Sequence, residues 1–569
     1  MASLKEWLPF AKEQYKRARQ LMDVESAKDP VNEPFKSRYE AAKILEALKE
    51  KLNEFEDSFS EEEPLNNATL INIVIKIDLG INSIETEEFG IGEQLLISAL
   101  NIIEEKFSEN SSIILYKCIA LNQLGFLWST RAEYETAAEH LRKAEESYYC
   151  WRRQENRENT TLSLMDAFTS HPLDSCKNSN ALTDVEKTFT QSLYFLAQVY
   201  EKLERNDESA VYCKRTLRRQ YESKEFDAVD WAMHTSTLSQ YYATKNEFEN
   251  AAHLIACGRF VLNNHLSNIG DDDERAKRAK ADLARICVKH CLMLLEASKN
   301  SAAPQSPPHS ENVEMLTDDE ISAIECKIPC KIVTQFDDAR TVFLEAQNYV
   351  NQAKEYYALD EHASDYVDCV QDNSKLYRLL AFFETDSDRK YKMHKRRVTM
   401  LQNLLSEINA QYFLAQNRQM LFELGETYSE MGDILILQTE NKQGEELIAH
   451  VKKINVMITK AIKEYIAFIE TFKDKSKGEL PTTFDEEMVK PILVAYFSIG
   501  RLHSKLYSSD PRDQLRNWTS CEQYYKKVVE YTERNPQHSH LVSEELSLVE
   551  EMLRLIPRKL SLLLNSTMY

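Results

Sequence analysis

The chain has 569 residues with only 11 glycines and 14 prolines, and its 70 basic and 92 acidic residues give a formal net charge of -22. A chain of this length exceeds what one hydrophobic core usually supports, and so little glycine and proline is typical of helices rather than of turn-rich sheets. The negative charge argues against binding to nucleic acid or to an anionic membrane, and it favours a basic partner.

The N-terminal stretch MASLKEWLPFAKEQYKRARQ predicts a first helix rather than a targeting segment. Its basic residues are mixed with Glu6 and Glu13, and it lacks an apolar centre followed by a small-residue cleavage site. The most apolar stretch, INIVIKIDLGI, is broken by Lys76 and Asp78, so it falls short of the ~20 apolar residues that a membrane span needs. We therefore expect no membrane insertion.

Gly125 stands in the interior of a predicted helix, where glycine costs roughly 1 kcal/mol relative to alanine. Apolar and small residues recur around it at three- and four-residue spacing, first on one helix and then on a second: Leu121, Leu124, Trp128, Ala137, Leu141 and Ala144. Small residues at such positions let two antiparallel helices approach closely. The pattern is that of a tetratricopeptide repeat, and it predicts that Gly125 lies at a helix-helix contact.

The same pattern recurs along the chain, around Leu79-Gly80, Leu196-Ala197, Leu238-Ser239, Leu424-Gly425 and Ile499-Gly500. The first four equivalent leucines, counting Leu124, are separated by 45, 72 and 42 residues. These intervals exceed the 34 residues of an ordinary tetratricopeptide repeat, so longer helices or elaborate connections are expected. The sequence predicts an all-α, tetratricopeptide-like α-solenoid.

Three breaks divide the predicted helices. A polar loop at 152–184 is interpreted as an insertion after the second repeat, and an acidic stretch, EDSFSEEEPLNN, separates the first helices from the first clear repeat. The serine- and proline-rich stretch at 298–315 is predicted to be a flexible linker. We expect it to separate an N-terminal subdomain, 1–297, from a C-terminal subdomain, 316–569.

The 11 cysteines show no shared spacing, as expected of reduced thiols in a cytoplasmic protein. Two pairs, Cys287/Cys291 and Cys326/Cys330, are four residues apart, and His290 adjoins the first pair. Structural zinc usually takes cysteines from tight turns at closer spacing. We expect these cysteines to be buried small hydrophobic residues, with no metal bound.

No sequence motif indicates an enzyme. The glycine-rich GIGEQL at Gly90 lacks a third glycine and a preceding strand, and the chain contains no GxxxxGK[ST], HExxH or GxSxG. We expect neither a catalytic site nor a cofactor.

The basic cluster RKYKMHKRR, residues 389–397, is conspicuous in an acidic chain. A nuclear signal or a phosphate-binding face would explain it. A solvated helix face paired with acids of adjacent helices is the interpretation that we favour.

The inner helices of such an array line a groove in which partners bind. The repeat register assigns Asn122, Phe126, Tyr194, Phe195, Gln198, Ser236, Thr237 and Gln240 to it. None is a lysine or arginine, which disfavours a clamp for the acidic tails of chaperones. A neutral-polar groove with aromatic residues suits a helix or a folded surface.

Five blocks of the sequence carry a resemblance to a known family: SRYEAAKILEALKEKL, SLYFLAQVYEKLE, WAMHTSTLSQYY, VQDNSKLYRLLAFFETDSDRKYKMHKRR and INAQYFLAQNRQMLFELGETY. In this order, and over nearly the whole chain, they resemble the kinesin-binding proteins, also called KIF-binding proteins. The resemblance implies a right-handed solenoid of two subdomains. It also implies a monomer that grips the motor domain of selected kinesins and blocks microtubule attachment.

The resemblance further implies a cytoplasmic, cytoskeleton-associated protein with roles in microtubule organisation and axon outgrowth. It places the motor contacts on the third and fourth repeats, at Phe195, Gln198, Gln220, Thr237 and Gln240. Core packing of Phe195 and ordinary solvation of the polar residues are the alternatives. The kinesin face that binds acidic tubulin is basic, so an acidic groove could compete for it. A motor-cargo scaffold or an activator of transport is the alternative function.

Overall fold

The computed structural model describes residues 4–56, 67–107, 110–155, 160–172, 180–269, 273–300, 315–474 and 478–567. Within these ranges the chain forms twenty α-helices and no strand, which confirms the all-α prediction. The helices are α1 Leu4–Gln20, α2 Lys36–Glu56, α3 Asn67–Glu85, α4 Phe89–Phe107, α5 Ile114–Thr130, α6 Tyr134–Arg152, α7 Ala181–Lys202, α8 Asn206–Ser223, α9 Ala228–Thr244, α10 Phe248–Ile269, α11 Glu274–Asn300, α12 Asp319–Glu325, α13 Phe336–Tyr356, α14 Ala363–Phe383, α15 Ser387–Glu407, α16 Leu414–Leu437, α17 Gly444–Glu470, α18 Glu486–Ser504, α19 Pro511–Arg534 and α20 Ser543–Thr567.

Consecutive helices pack in pairs, among them α3 with α4, α5 with α6, α7 with α8, α16 with α17 and α18 with α19. A Cβ placed on Gly125 would lie 2.6 Å from Leu141 Cγ on α6, which is far inside a van der Waals contact. The same arrangement recurs at Gly500, where a Cβ would lie 2.6 Å from Tyr525 Cδ1. Glycine is therefore required by the close approach of paired helices, as the repeat pattern predicts.

The chain divides into two compact units, Met1–Leu238 and Ser239–Tyr569, and the division falls inside α9. In the first unit α3 is buried on nearly every face, and it carries the whole apolar stretch quoted above. Asp78 is fully buried on it, and the Lys76 ammonium donates to Ser98 on α4 at 2.7 Å. No helix in the described ranges is both long and apolar enough to cross a bilayer.

The predicted insertion at 152–184 is partly built into the first unit. Its described residues 160–172 include a short 3-10 helix, Leu164–Phe168. The Trp151 indole donates to Thr161 Oγ1 at 3.0 Å, the Tyr116 hydroxyl donates to the Ser163 carbonyl at 2.9 Å, and the Phe168 ring stacks 4.5 Å from that of Tyr15. Residues 156–159 and 173–179 lie outside the described ranges.

The predicted linker at 298–315 begins within a helix, because α11 continues to Asn300. Ser298 is buried, and its hydroxyl accepts the Val333 N–H at 3.0 Å. Residues 301–314 lie outside the described ranges, as do 57–66 of the acidic break. The division into subdomains 1–297 and 316–569 stays a prediction.

The basic cluster lies at the start of α15 and pairs with acids from neighbouring segments. The Arg389 guanidinium lies 3.1 Å from Glu384, and that of Arg397 lies 3.2 Å from Glu423 and 2.9 Å from Glu430 on α16. The predicted pairing is confirmed. The expected solvation is wrong for Arg397, which is completely buried.

Candidate partner-binding site

Helix α7 presents two contrasting faces. Its buried side packs on α6 and α8, since Leu196 shares a buried cluster with Leu141 of α6 and the Tyr200 ring stacks 5.4 Å from that of Tyr212 on α8. Small residues bring the two helices together, since Ser209 Oγ donates to the Ala197 carbonyl at 2.8 Å. The opposite side of α7 is exposed and offers a surface for a partner.

A groove of about 870 Å³ runs along this exposed side within the first unit. Residues of α7 line one wall, and residues of α8, the turn after it and the start of α9 line the other. Its principal side chains are Arg152, Glu186, Lys187, Thr190, Gln191, Tyr194, Arg219, Gln220, Glu222, Glu225, Phe226, Asp227, Asp230, Trp231 and His234. Its size suits a segment of a macromolecular partner, such as one face of a helix.

Two residues named from the resemblance relate to this groove in different ways, one through a hydrogen bond to Tyr194 and one as part of the lining. Gln198 is exposed, and its side-chain amide donates to the Tyr194 hydroxyl at 2.9 Å. Gln220 is half-buried and lies in the groove lining with Tyr194. Gln220 is thus part of the groove, and Gln198 contacts the groove residue Tyr194 from outside the lining.

Phe195 combines packing with partial exposure. Its half-buried ring lies 5.9 Å from that of the exposed Phe126 and packs beside the cluster that contains Leu141 and Leu196. Together with Tyr194, whose ring lies 6.0 Å from that of Phe195, these residues form an aromatic strip on the first unit. Such a strip is typical of partner contacts, because aromatic side chains bury much apolar area for little lost entropy.

Thr237 and Gln240, like Phe195 and Gln198, do not belong to the groove lining that the described residues form. Thr237 on α9 is exposed, and its hydroxyl donates to the Met233 carbonyl of the same helix at 2.9 Å. Gln240 is half-buried and belongs to the second unit.

Two of the groove positions assigned from the repeat register are buried instead. Asn122 is 1% exposed, and its amide donates to the Thr188 carbonyl at 2.9 Å while its oxygen accepts the Ser192 hydroxyl at 2.7 Å. Asn122 therefore ties α5 to α7. Ser236 is also buried, and its hydroxyl donates to the Ala232 carbonyl at 2.8 Å.

The repeat register did not assign the charged residues of the groove to the site. They lie outside the repeat motif, one to three turns before the leucines of α7 and at the end of α8. Arg219 forms an ion pair with Glu186, and the Lys187 ammonium lies 3.0 Å from Glu225. The groove lining contains five carboxylates and three lysine or arginine side chains. Its charge is net negative, which suits a basic partner.

A buried tyrosine holds the base of the groove in place. The Tyr148 ring stacks 3.6 Å from that of Phe189, and its hydroxyl donates to Glu186 at 2.8 Å. Burial, together with this hydrogen bond, raises the pKa of Tyr148. Glu186 is thereby fixed between Tyr148 and Arg219.

The cysteines considered as metal ligands differ in how deeply they are buried. Cys287 and Cys291 are buried on α11, and burial raises the pKa of the Cys287 thiol to about 11. Nε2 of the adjacent His290 donates to the Pro329 carbonyl at 2.7 Å, while Cys326 is exposed. Across the described ranges, no three His, Cys, Asp or Glu side chains come together as metal ligands would.

Comparisons with known proteins extend over almost the full chain. A sequence family described as "KIF-1 binding protein C terminal" matches residues 229–563. The chain is 34% identical to the KIF-binding protein of Gallus gallus, with 96% of each chain covered. It is 32% identical to that of Homo sapiens, covering 97% of this chain and 98% of the relative.

One solved structure is similar throughout. A cryo-EM structure of KIFBP aligns with a TM-score of 0.62 and 27% identity, covering 98% of this chain and 99% of the other. The matched C-terminal region and the full-length relatives agree. The chain belongs to the family of KIF-binding proteins.

Proposed function

We propose that this protein binds the motor domains of selected kinesins, one per chain, and blocks their attachment to microtubules. The observation that carries the proposal is the family membership, since relatives named KIF-binding protein align with 96% or more of the chain. The protein would act without catalysis or a cofactor, in the cytoplasm and in association with the cytoskeleton. Through its motors it would control microtubule organisation and axon outgrowth.

The groove of the first unit supports this role by its shape and charge. Tyr194 lines the groove and joins it to the rings of Phe195 and Phe126, which offer apolar area, and the carboxylates of the groove offer attraction for a basic surface. A motor's track-binding face is basic because tubulin is acidic, so occupation of that face by the groove would exclude the track.

Co-sedimentation tests the proposal. A purified kinesin motor domain is bound to microtubules with a non-hydrolysable ATP analogue, and this protein is added in increasing amounts. We expect the motor to move from the pellet to the supernatant as a complex with this protein. A motor that stays in the pellet with this protein bound to it would indicate a motor-cargo scaffold, and a motor that pellets alone would contradict the proposal.

The site itself is tested by adding charge. Gln198→Lys with Thr237→Lys changes two exposed residues of the first unit, and should weaken capture of the motor while leaving the melting temperature nearly unchanged. Gln94→Lys with Gln411→Lys is the matched control, because it adds the same charge at two exposed glutamines elsewhere. Equal binding by both variants would place the motor contacts outside the region of Gln198 and Thr237.

A further inference from the structure

Helix α17 of the second unit presents a basic face to solvent. Lysine side chains recur on it within about three turns, and each of them is exposed: Lys452, Lys453, Lys460 and Lys463. With about 3.6 residues per turn, these positions and the exposed Val456 between them fall within about 100° of the helix circumference. We call the lysines at these positions the lysine face.

The lysine face stands out in a chain whose net charge is -22. Arg389 and Arg397, in the basic cluster on α15, both pair with carboxylates of neighbouring segments. Among the described residues, by contrast, no member of the lysine face forms an ion pair, and the Lys460 ammonium lies 5.4 Å from the centre of the Tyr428 ring. The positive charge of this face is therefore available to a partner.

An apolar cleft adjoins the lysine face. It lies between the end of α16 and the end of α18, and its volume is about 410 Å³. Leu437 and Tyr507, which line it together with Ile436 and Leu506, are 75% and 47% exposed. Exposed apolar side chains that are grouped in this way mark an interaction surface.

Hydrogen bonds fix the cleft beside the lysine face. The Asn455 amide of α17 donates to the Tyr507 carbonyl at 2.6 Å, and its side-chain oxygen accepts the Tyr507 N–H at 3.0 Å. Lys452 precedes Asn455 by three residues, which makes the two side chains neighbours on the helix surface. The single carboxylate of the cleft lining, that of Asp433, pairs with Lys505. The cleft and the lysine face thus form one surface, apolar at one side and basic at the other.

We infer that this surface binds an acidic, amphipathic segment of another protein. The apolar side chains of that segment enter the cleft beside Leu437 and Tyr507, and its carboxylates pair with the lysine face. From Lys452 to Lys463 the helix is about 16 Å long, so about three helical turns of the partner cover the face.

The charge of the whole chain restricts the class of partner. A long nucleic acid or an anionic membrane meets the overall negative field of the chain, whereas a short acidic segment meets only the lysine face. The surface belongs to the second unit, so it is distinct from the groove that we propose for the motor, and the inference does not rest on the proposed function.

A designed peptide tests the inference on the full chain. The probe is a labelled helical peptide about four turns long, with leucine on one face and glutamate on the other, and fluorescence anisotropy measures its binding. We expect saturable binding that weakens as salt rises, because salt screens exposed charges. Lys452→Glu with Lys463→Glu should weaken binding at least about tenfold. Lys280→Glu with Lys289→Glu is the matched control, since it reverses two exposed lysines of α11 in the same unit, and it should bind as the unchanged chain does.

The apolar half of the surface is tested in the same assay. Leu437→Ser should weaken binding with unchanged helicity, and Leu344→Ser is its control because Leu344 is 48% exposed on α13. A peptide with the same glutamates but serine in place of leucine should bind more weakly. Carbodiimide cross-linking followed by mass spectrometry should join the peptide carboxylates to Lys452 or Lys463 rather than to Lys280 or Lys289.

Several outcomes would overturn the inference. They are an absence of saturable binding, equal binding of the serine peptide, and an affinity that Lys452→Glu with Lys463→Glu leaves unchanged. Phosphatidylserine vesicles that bind through the lysine face when the peptide does not would point to a membrane instead. The same lysine variant should still capture a kinesin motor domain, and a parallel loss of that capture would contradict a separate partner. Failure of the peptide test alone leaves the proposed function standing.

Discussion

Tyr15 on α1 donates a 2.7 Å hydrogen bond to the fully buried carboxylate of Asp78 on α3. The other oxygen of Asp78 accepts from the Arg19 guanidinium at 3.0 Å. Both carboxylate oxygens therefore have donors, which offsets much of the cost of burying the charge. This network fixes the first helix to the centre of the first unit.

Asp78→Ala should destabilise the first unit by about 1–3 kcal/mol, because it leaves the buried Tyr15 hydroxyl without its acceptor and removes one of the two carboxylates that pair with Arg19. Urea unfolding measures the loss. Asp23→Ala is the control, since Asp23 also pairs with Arg19, at 3.0 Å, but is half-exposed. A loss no larger than that of Asp23→Ala would show that the buried network contributes little.

Gly125→Ala should cost about 1–3 kcal/mol, although alanine is the better helix former, because its Cβ would overlap Leu141 Cγ at 2.6 Å. Gly90→Ala is the matched control, since a Cβ there meets no atom within 4 Å. Thermal melting of both variants gives the comparison. Adding Leu141→Ala to Gly125→Ala should recover part of the loss, and strict additivity of the two losses would contradict a direct contact.

The contact of Gly125 with Leu141 could be predicted from sequence because it follows from local spacing within one repeat. The pairing of Tyr15 with Asp78 could not, since it joins residues 63 apart on helices whose relative placement no periodicity encodes. The same holds for Phe168, whose segment reads as a polar loop but packs on Tyr15.

As with the fold, only part of the candidate site could be predicted from the sequence. Tyr194 lines the groove to which the register assigns it, because α7 is regular around its leucines, whereas Gln198 is exposed but lies outside the lining. Lys187 and Glu225 were not predicted as site residues, because the groove extends beyond the repeat consensus to the early turns of α7 and the turn after α8. Asn122 was misplaced because a polar residue on an inner helix can also bond to its neighbouring helix.

Acidification should weaken the second unit through His394. This side chain is buried beside Arg397, whose guanidinium donates to Nδ1 at 3.1 Å, and burial lowers its pKa to about 4. The unfolded state binds the proton more readily, so the contribution of His394 is present above its ordinary pKa of about 6.5 and is lost as the pH falls toward 4.

Between pH 7 and pH 5 this titration should remove about 2 kcal/mol of unfolding free energy. Other groups titrate in the same range, so the measurement is the difference between the unchanged chain and His394→Gln in urea unfolding at both pH values. The unchanged chain should lose more on acidification than the variant does. Parallel losses would show that His394 does not carry the effect.

The last prediction concerns the charge of the groove. Glu222→Lys with Glu225→Lys reverses two exposed carboxylates of the groove lining, and it should weaken capture of a kinesin motor domain by roughly tenfold or more if the partner face is basic. Glu46→Lys with Glu50→Lys changes the net charge equally on the exposed side of α2 and is the matched control.

Binding titrations at low and at high salt separate local attraction by the groove from attraction by the overall charge of the chain, because salt screens exposed charges. Rising salt should weaken the unchanged chain more than the Glu222→Lys/Glu225→Lys variant, since the variant has already lost the local attraction. If both pairs of substitutions weaken binding equally, the overall charge of the chain, rather than the groove, attracts the motor.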